Sequence, residues 1–178
     1  MSKIIKHLTT SGCYIKLDRD PTSKIVKEVE KAFDSSSLCK DTKKKLSLKN
    51  LIMARIYRLP KIHKNGVPLR PIVNTIRSPT YQLAKYLVKT LKPLVSKTFS
   101  YIKDSSHFFD SLTDLHLDKE DMLARFYVVS LYTKVSVMDT INMIKEITSE
   151  EIAKLVNICL KSTYFLYYME KYMNKLTG

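Results

Sequence analysis

Glycine is scarce in this chain of 178 residues, occurring only as Gly12, Gly66 and Gly178. Because no Gly-rich loop is present, the sequence excludes the phosphate cradle of P-loop and Rossmann proteins. An all-β protein with many tight turns would also need more glycine than this. The scarcity therefore argues against both classes.

Cysteine is almost as rare, and Cys13, Cys39 and Cys159 form no CxxC pair. An odd count at wide spacing argues against a disulfide framework and against a zinc site, and it fits a reducing compartment. The four histidines form no HxxxH pair, so no metal site is expected. There is neither a secretory signal nor an apolar run of bilayer length. We expect an intracellular protein, nuclear or cytoplasmic, that is not secreted and has no membrane partner.

Acidic residues are also few, with 17 Asp and Glu against 31 Lys and Arg, a net charge of +14. The lysines concentrate in residues 24–31, 40–49 and 61–64. This excess favours a polyanionic partner, of which nucleic acid is the commonest, although a generally basic protein is the alternative. Apolar residues make up 44% of the chain, enough for the core of one domain.

Helices are predicted where apolar residues recur every three or four positions. Asp20 is expected to cap the first helix with Pro21 at its first position, and Asp139 to cap a later one. The predicted helices cover residues 21–34, 40–46, the segment from Ser78-Pro79 to near Pro93, 105–115, 140–147 and 150–161.

Strands are predicted in shorter apolar or alternating runs, with a hairpin turn at Asn65-Gly66. Pro71 indicates an edge strand, and residues 1–19 are expected to be a poorly ordered basic lead-in. The predicted strands cover residues 51–59, 69–76, 123–131 and a pair within 163–173. This order of elements predicts an α+β fold. The aromatic side chains of 163–173 could stack on bases, but packing of a sheet is the preferred interpretation.

The hairpin carries a group of basic residues, Lys61, His63, Lys64 and Arg70. Arg offers a bidentate fork and Lys a compact charge, so a mobile tip with these side chains suits phosphate. Alternation on antiparallel strands can place Lys64 and Arg70 on one face. A solvated hairpin that is merely basic is an equally weighted alternative.

The run LPKIHKNGVPLRPIVNTIRSPTYQLAKYL at residues 59–87 resembles the fingers of reverse transcriptases from Penelope-like retroelements. LDRDPTSKIVKEVEKAF and TYFLYYMEKY extend the resemblance over about residues 13–175. It implies a right-hand polymerase, with fingers over 20–100 and the first half of a palm over 101–178. It also implies that Arg70, Lys64 and Lys61 contact the triphosphate of the incoming nucleotide.

The run FYVVSLYTKVS at residues 126–136 resembles the first palm motif of that family. The family's metal-binding aspartate falls on Tyr127, and a phenol is a poor Mg²⁺ ligand. Asp121 and Asp139 are placed too poorly to replace it. Tyr132 matches the aromatic residue under the nucleotide sugar.

The family's later Asp-Asp pair is absent from the 178 residues, which end about where its next palm motif would begin. We therefore expect a truncated domain that is inactive alone and binds no cofactor, whereas the intact family uses Mg²⁺ to copy RNA into DNA. The expected partners are an RNA or DNA template-primer and a dNTP, with His63, Lys43, Lys44 and Lys45 contacting nucleic acid. A non-catalytic nucleic-acid-binding protein and a decayed element without function are alternatives, and the oligomeric state is open.

Overall fold

A computed structural model describes residues 14–47, 49–63, 65–67, 69–98, 100–113, 115–116, 118–122, 124–126, 135–167 and 170–174. These residues form a five-stranded mixed sheet with helices against it, which confirms the α+β class. The strands are β1 (Tyr14–Leu17), β2 (Arg55–Pro60), β3 (Leu69–Asn74), β4 (Tyr164–Tyr167) and β5 (Glu170–Asn174). The helices are α1 (Thr22–Asp34), α2 (Lys40–Leu46), α3 (Tyr81–Val95), α4 (Ser105–Thr113), α5 (Val137–Ile147) and α6 (Glu150–Lys161).

The strand order is β1-β5-β4-β2-β3, in which β4 runs parallel to β2 and all other neighbours are antiparallel. The sheet therefore joins strands from both ends of the described chain. Pro71 lies in β3, an edge strand, as predicted. An edge tolerates proline because its missing N–H need not pair with a further strand.

Successive residues of β4 face opposite sides of the sheet. Tyr164 belongs to the main core, in which α6 packs against α1, α3 and α5 and Leu83 and Leu155 are almost fully buried. Phe165 belongs to a second cluster, with Tyr167 and Tyr172, on the opposite side. We call these two faces the helix side and the aromatic side. All four of these aromatic side chains are buried, which agrees with the preferred interpretation of sheet packing.

Two side-chain links tie α1 to distant parts of the chain. The Tyr164 hydroxyl lies 2.6 Å from Thr22 Oγ1, which itself donates to Asp20 Oδ1. Because the single hydroxyl proton of Thr22 is donated to Asp20, the Tyr164 hydroxyl is the donor to Thr22. Burial raises the pKa of this phenol. After α1, the backbone N–H and hydroxyl of Ser37 donate to the two carboxylate oxygens of Glu151 on α6.

Several predicted boundaries are wrong. The lead-in over 1–19 is not poorly ordered at Tyr14–Leu17, because these residues pair with β5. The strand predicted from residue 51 begins at Arg55. Helix α3 begins at Tyr81, later than the predicted start at Ser78-Pro79, and it ends at Val95, two residues past Pro93. The cap of α5 is Ser136, whose Oγ accepts from the Asp139 backbone N–H at 3.2 Å, so Asp139 lies in the first turn instead.

Other predictions are confirmed in outline. Residues 40–46 and 150–161 form helices as expected, and residues 163–173 contain the expected strand pair. Helix α4 forms, but it buries no side chain. Of the strand predicted over 123–131, residues 124–126 have no regular structure, and the remainder lies outside the described residues.

Candidate nucleic-acid interface

The hairpin of β2 and β3 presents arginine on the helix side of the sheet. Its antiparallel register pairs Arg55 with Asn74, Tyr57 with Ile72, and Leu59 with Arg70. Paired residues of an antiparallel ladder share a face, and so do alternate residues of each strand. These six side chains therefore form one row, which we call the arginine row.

The helices do not cover the arginine row. Arg55 and Arg70 are exposed, and Tyr57 and Leu59 each retain 48% of their accessible surface. Within the described part of the chain, no ion pair engages either arginine. The row therefore offers two guanidinium groups, about 13 Å apart along the strands at the usual rise per residue, with a tyrosine ring between them.

A groove of about 330 Å³ lies at the base of the hairpin. Its polar lining residues are Arg55, Asn74 and Arg77, and its apolar ones are Ile52, Met53 and Ile76. Asn74 Oδ1 accepts from the Ile76 backbone N–H at 3.0 Å, which leaves the amide nitrogen to donate. The N–H groups of Arg55, Asn74 and Arg77, which line the groove, are donors, and this suits an anion such as phosphate.

The backbone at Arg77 holds this arginine beside the groove. Its φ of 65° is left-handed, a conformation that side chains other than glycine seldom adopt. The Arg77 carbonyl accepts from the Ile52 N–H at 2.9 Å, and Arg77 Nη2 donates to the Asn50 carbonyl at 2.7 Å. These two bonds fix the turn after β3 against the segment before β2. One of the five N–H groups of Arg77 is thereby used, and the others remain for a ligand.

The hairpin turn occurs where it was predicted, but the loop is longer than a two-residue turn. Pro60 pairs with Leu69, so eight residues, 61–68, connect the strands. Gly66 has a φ of 72°, as the Asn-Gly signal predicts. Lys61 is partly buried and His63 is exposed in this loop. Lys64 lies outside the described residues, so its predicted position beside Arg70 stays a prediction.

The three lysines predicted on α2 differ in their surroundings. Lys44 and Lys45 are exposed, whereas Lys43 Nζ donates to the Ser36 carbonyl at 3.1 Å and is partly buried. Lys43 therefore stabilises the connection between α1 and α2. Lys44 and Lys45 are the members of this group that project into solvent.

The predicted palm residues Tyr127 and Tyr132 lie outside the described residues. Elsewhere, the described residues contain no group of three or more His, Cys, Asp or Glu that could hold a metal ion. Asp121 Oδ2 accepts from the Asp118 backbone N–H at 2.8 Å, and Asp139 lies in the first turn of α5. The described carboxylates therefore do not fit a pair of Mg²⁺ ions.

Sequence reasoning missed Arg55, Asn74 and Arg77. The alternation of Arg55, Tyr57 and Leu59 could have placed Arg55 on the same face as Arg70. No sequence signal marks Arg77, because its position depends on a left-handed residue in an irregular turn.

None of the helices within the described ranges has the length and apolar character needed to cross a bilayer. Comparison of the chain with protein-family models, curated proteins and solved structures finds no match.

Proposed function

We propose that the chain is the fingers and first part of the palm of a reverse-transcriptase-like domain from a Penelope-like retroelement. Its function, in this proposal, is to bind the phosphate backbone of RNA or DNA through the arginine row and the groove beside it. The sequence resemblance over residues 59–87 supports the family. The exposed Arg55 and Arg70 on one face of the hairpin carry the binding proposal.

The chemistry of the arginine row suits a single-stranded partner. Guanidinium groups bind phosphate oxygens in a bidentate fork, and the Tyr57 ring between them offers a surface on which a base can stack. The net charge of +14 adds a long-range attraction for a polyanion. By the resemblance, Arg70, Lys61 and Lys64 would face the triphosphate of a nucleotide at the hairpin tip.

The proposal does not include nucleotidyl transfer by these residues. Tyr127 stands where the family has a metal-binding aspartate, and a neutral phenol does not replace a carboxylate on Mg²⁺. We expect no nucleotide incorporation in a primer-extension assay with Mg²⁺ or Mn²⁺. Incorporation that needs the purified chain would contradict this part of the proposal.

Charge reversal tests the binding surface. Arg55→Glu with Arg70→Glu should weaken the binding of a labelled single-stranded RNA by about tenfold or more at low salt, because two phosphate contacts become repulsive. The matched control is Lys27→Glu with Lys31→Glu, the same change of charge at two exposed positions of α1 outside the arginine row. Fluorescence anisotropy measures the affinity, and circular dichroism checks that each variant is folded. Equal weakening by the control and the arginine double variant would refute the arginine row as the contact surface.

A further inference from the structure

A second cavity, of about 220 Å³, lies between the turn after β3 and the junction of α6 with β4. Its lining includes five aliphatic hydroxyl residues, Thr75, Ser78, Thr80, Ser162 and Thr163. Neither the arginine row nor the predicted triphosphate contacts take part in it. The cavity is therefore separate from the phosphate-binding surface.

Two of these five residues are largely buried. Ser78 retains 4% and Ser162 retains 6% of its accessible surface, and no side-chain hydrogen bond to either occurs among the described residues. Burying a hydroxyl without a hydrogen bond is unfavourable. The described part of the chain holds no fully enclosed polar side-chain atom that lacks a partner, so these two oxygens retain some accessible surface, and both residues line the cavity. A ligand or a water molecule in the cavity could therefore supply their hydrogen bonds.

The remaining lining defines what that occupant can be. Tyr14 and Phe165 contribute aromatic rings, whose centroids lie 5.6 Å apart in an edge-to-face arrangement, and Ala54 and Val73 contribute apolar surface. The lining includes no Lys, Arg, His, Asp or Glu among the described residues. An ion would lack a counter-charge there, so the cavity suits an uncharged ligand.

We propose that this cavity binds an uncharged, planar nitrogen heterocycle of the nucleobase type. Hydroxyls both donate and accept hydrogen bonds, which matches the mixed donors and acceptors on the edge of a base. The flat faces of a base suit contact with the partly exposed Tyr14 ring and with the apolar lining of the cavity. The cavity has the volume of about seven water molecules, which is enough for one or two fused rings.

Titration of the full chain with adenosine and uridine, followed by ligand-observed NMR at high salt, tests the proposal. We expect saturable binding of at least one nucleoside that does not weaken with salt, since no phosphate takes part. Ribose alone tests whether the sugar is recognised instead of the base, and it should not bind. The affinity of the arginine row for RNA falls as the salt concentration rises, whereas nucleoside binding in the cavity should not. The two proposals can therefore fail independently.

Removal of single hydroxyls locates the site. Ser162→Ala and Ser78→Ala should each weaken nucleoside binding by about threefold to tenfold, the usual effect of one hydrogen bond. Ser96→Ala is the matched control, because Ser96 is exposed and its Oγ donates to the Pro93 carbonyl away from the cavity. The proposal is overturned if no nucleoside saturates the protein, which would leave a cavity for water only. Binding of ribose as strong as that of adenosine, or equal weakening by all three variants, would also overturn it.

Discussion

The thiol of Cys159 allows the packing of α6 to be tested through pH. Cys159 lies against the main core, and burial raises its pKa from 9.0 to about 12. A pKa raised in the folded state means that the folded protein holds the thiol proton more tightly than the unfolded chain does. Tighter binding of this proton in the folded protein therefore contributes its full stabilisation below pH 9. The stabilisation is lost as the pH rises towards 12.

The expected loss follows from linkage. Between about pH 7.5 and about pH 10, ionisation of this thiol in the unfolded chain should lower the free energy of unfolding by about 1.4 kcal/mol. The value depends little on the folded pKa so long as that pKa stays well above about 10. Cys159→Ala removes the ionising group and leaves every other titrating residue in place. The difference in pH dependence between the two proteins thus isolates the thiol.

Urea denaturation under reducing conditions, at both pH values, measures the effect. The wild-type protein should lose about 1.4 kcal/mol more than Cys159→Ala does over this interval. Cys39→Ala is the control, because Cys39 is exposed and hydrogen bonding to Thr42 lowers its pKa, which gives the opposite sign. An equal loss in wild type and Cys159→Ala would refute the burial of α6 against the core.

Two further predictions concern stability. Leu83 is fully buried between α3 and its neighbours, so Leu83→Ala should lower the free energy of unfolding by about 2–5 kcal/mol in urea denaturation, and a loss below about 1 kcal/mol would contradict its place in the core. Ser149 Oγ accepts from the Ile152 backbone N–H at 3.3 Å, so Ser149→Ala should cost about 1 kcal/mol, whereas Ser149→Asp should retain most of the stability. Equal destabilisation by both Ser149 variants would show that capping is not the cause.

Local patterns predicted the elements whose stabilising contacts lie close in sequence. The helical periodicity of α1 and α6 and the aromatic alternation of residues 163–173 each produced the element that the structure has. The Asn-Gly signal located the hairpin turn, because a positive φ at Gly66 is a local property.

Elements that depend on distant partners were missed. The strand at Tyr14–Leu17 exists because it pairs with Lys171–Asn174, and a four-residue segment gives no sign of that partner. Ser136 and Asp139 both resemble cap residues, and only the backbone of α5 decides between them. For the candidate site, Arg70 was found from its motif, whereas Arg77 required the fold of an irregular turn.

The salt dependence of RNA binding tests the central claim most directly. Contacts from Arg55, Arg70 and Arg77 to single-stranded RNA predict a slope of about −2.1 for the logarithm of the binding constant against that of the salt concentration. The neutral variant Arg55→Gln/Arg70→Gln should reduce the magnitude of the slope by about 1.4, since two phosphate contacts are lost. A wild-type slope near zero, or a slope that the double variant leaves unchanged, would contradict the proposal that the hairpin binds the phosphate backbone.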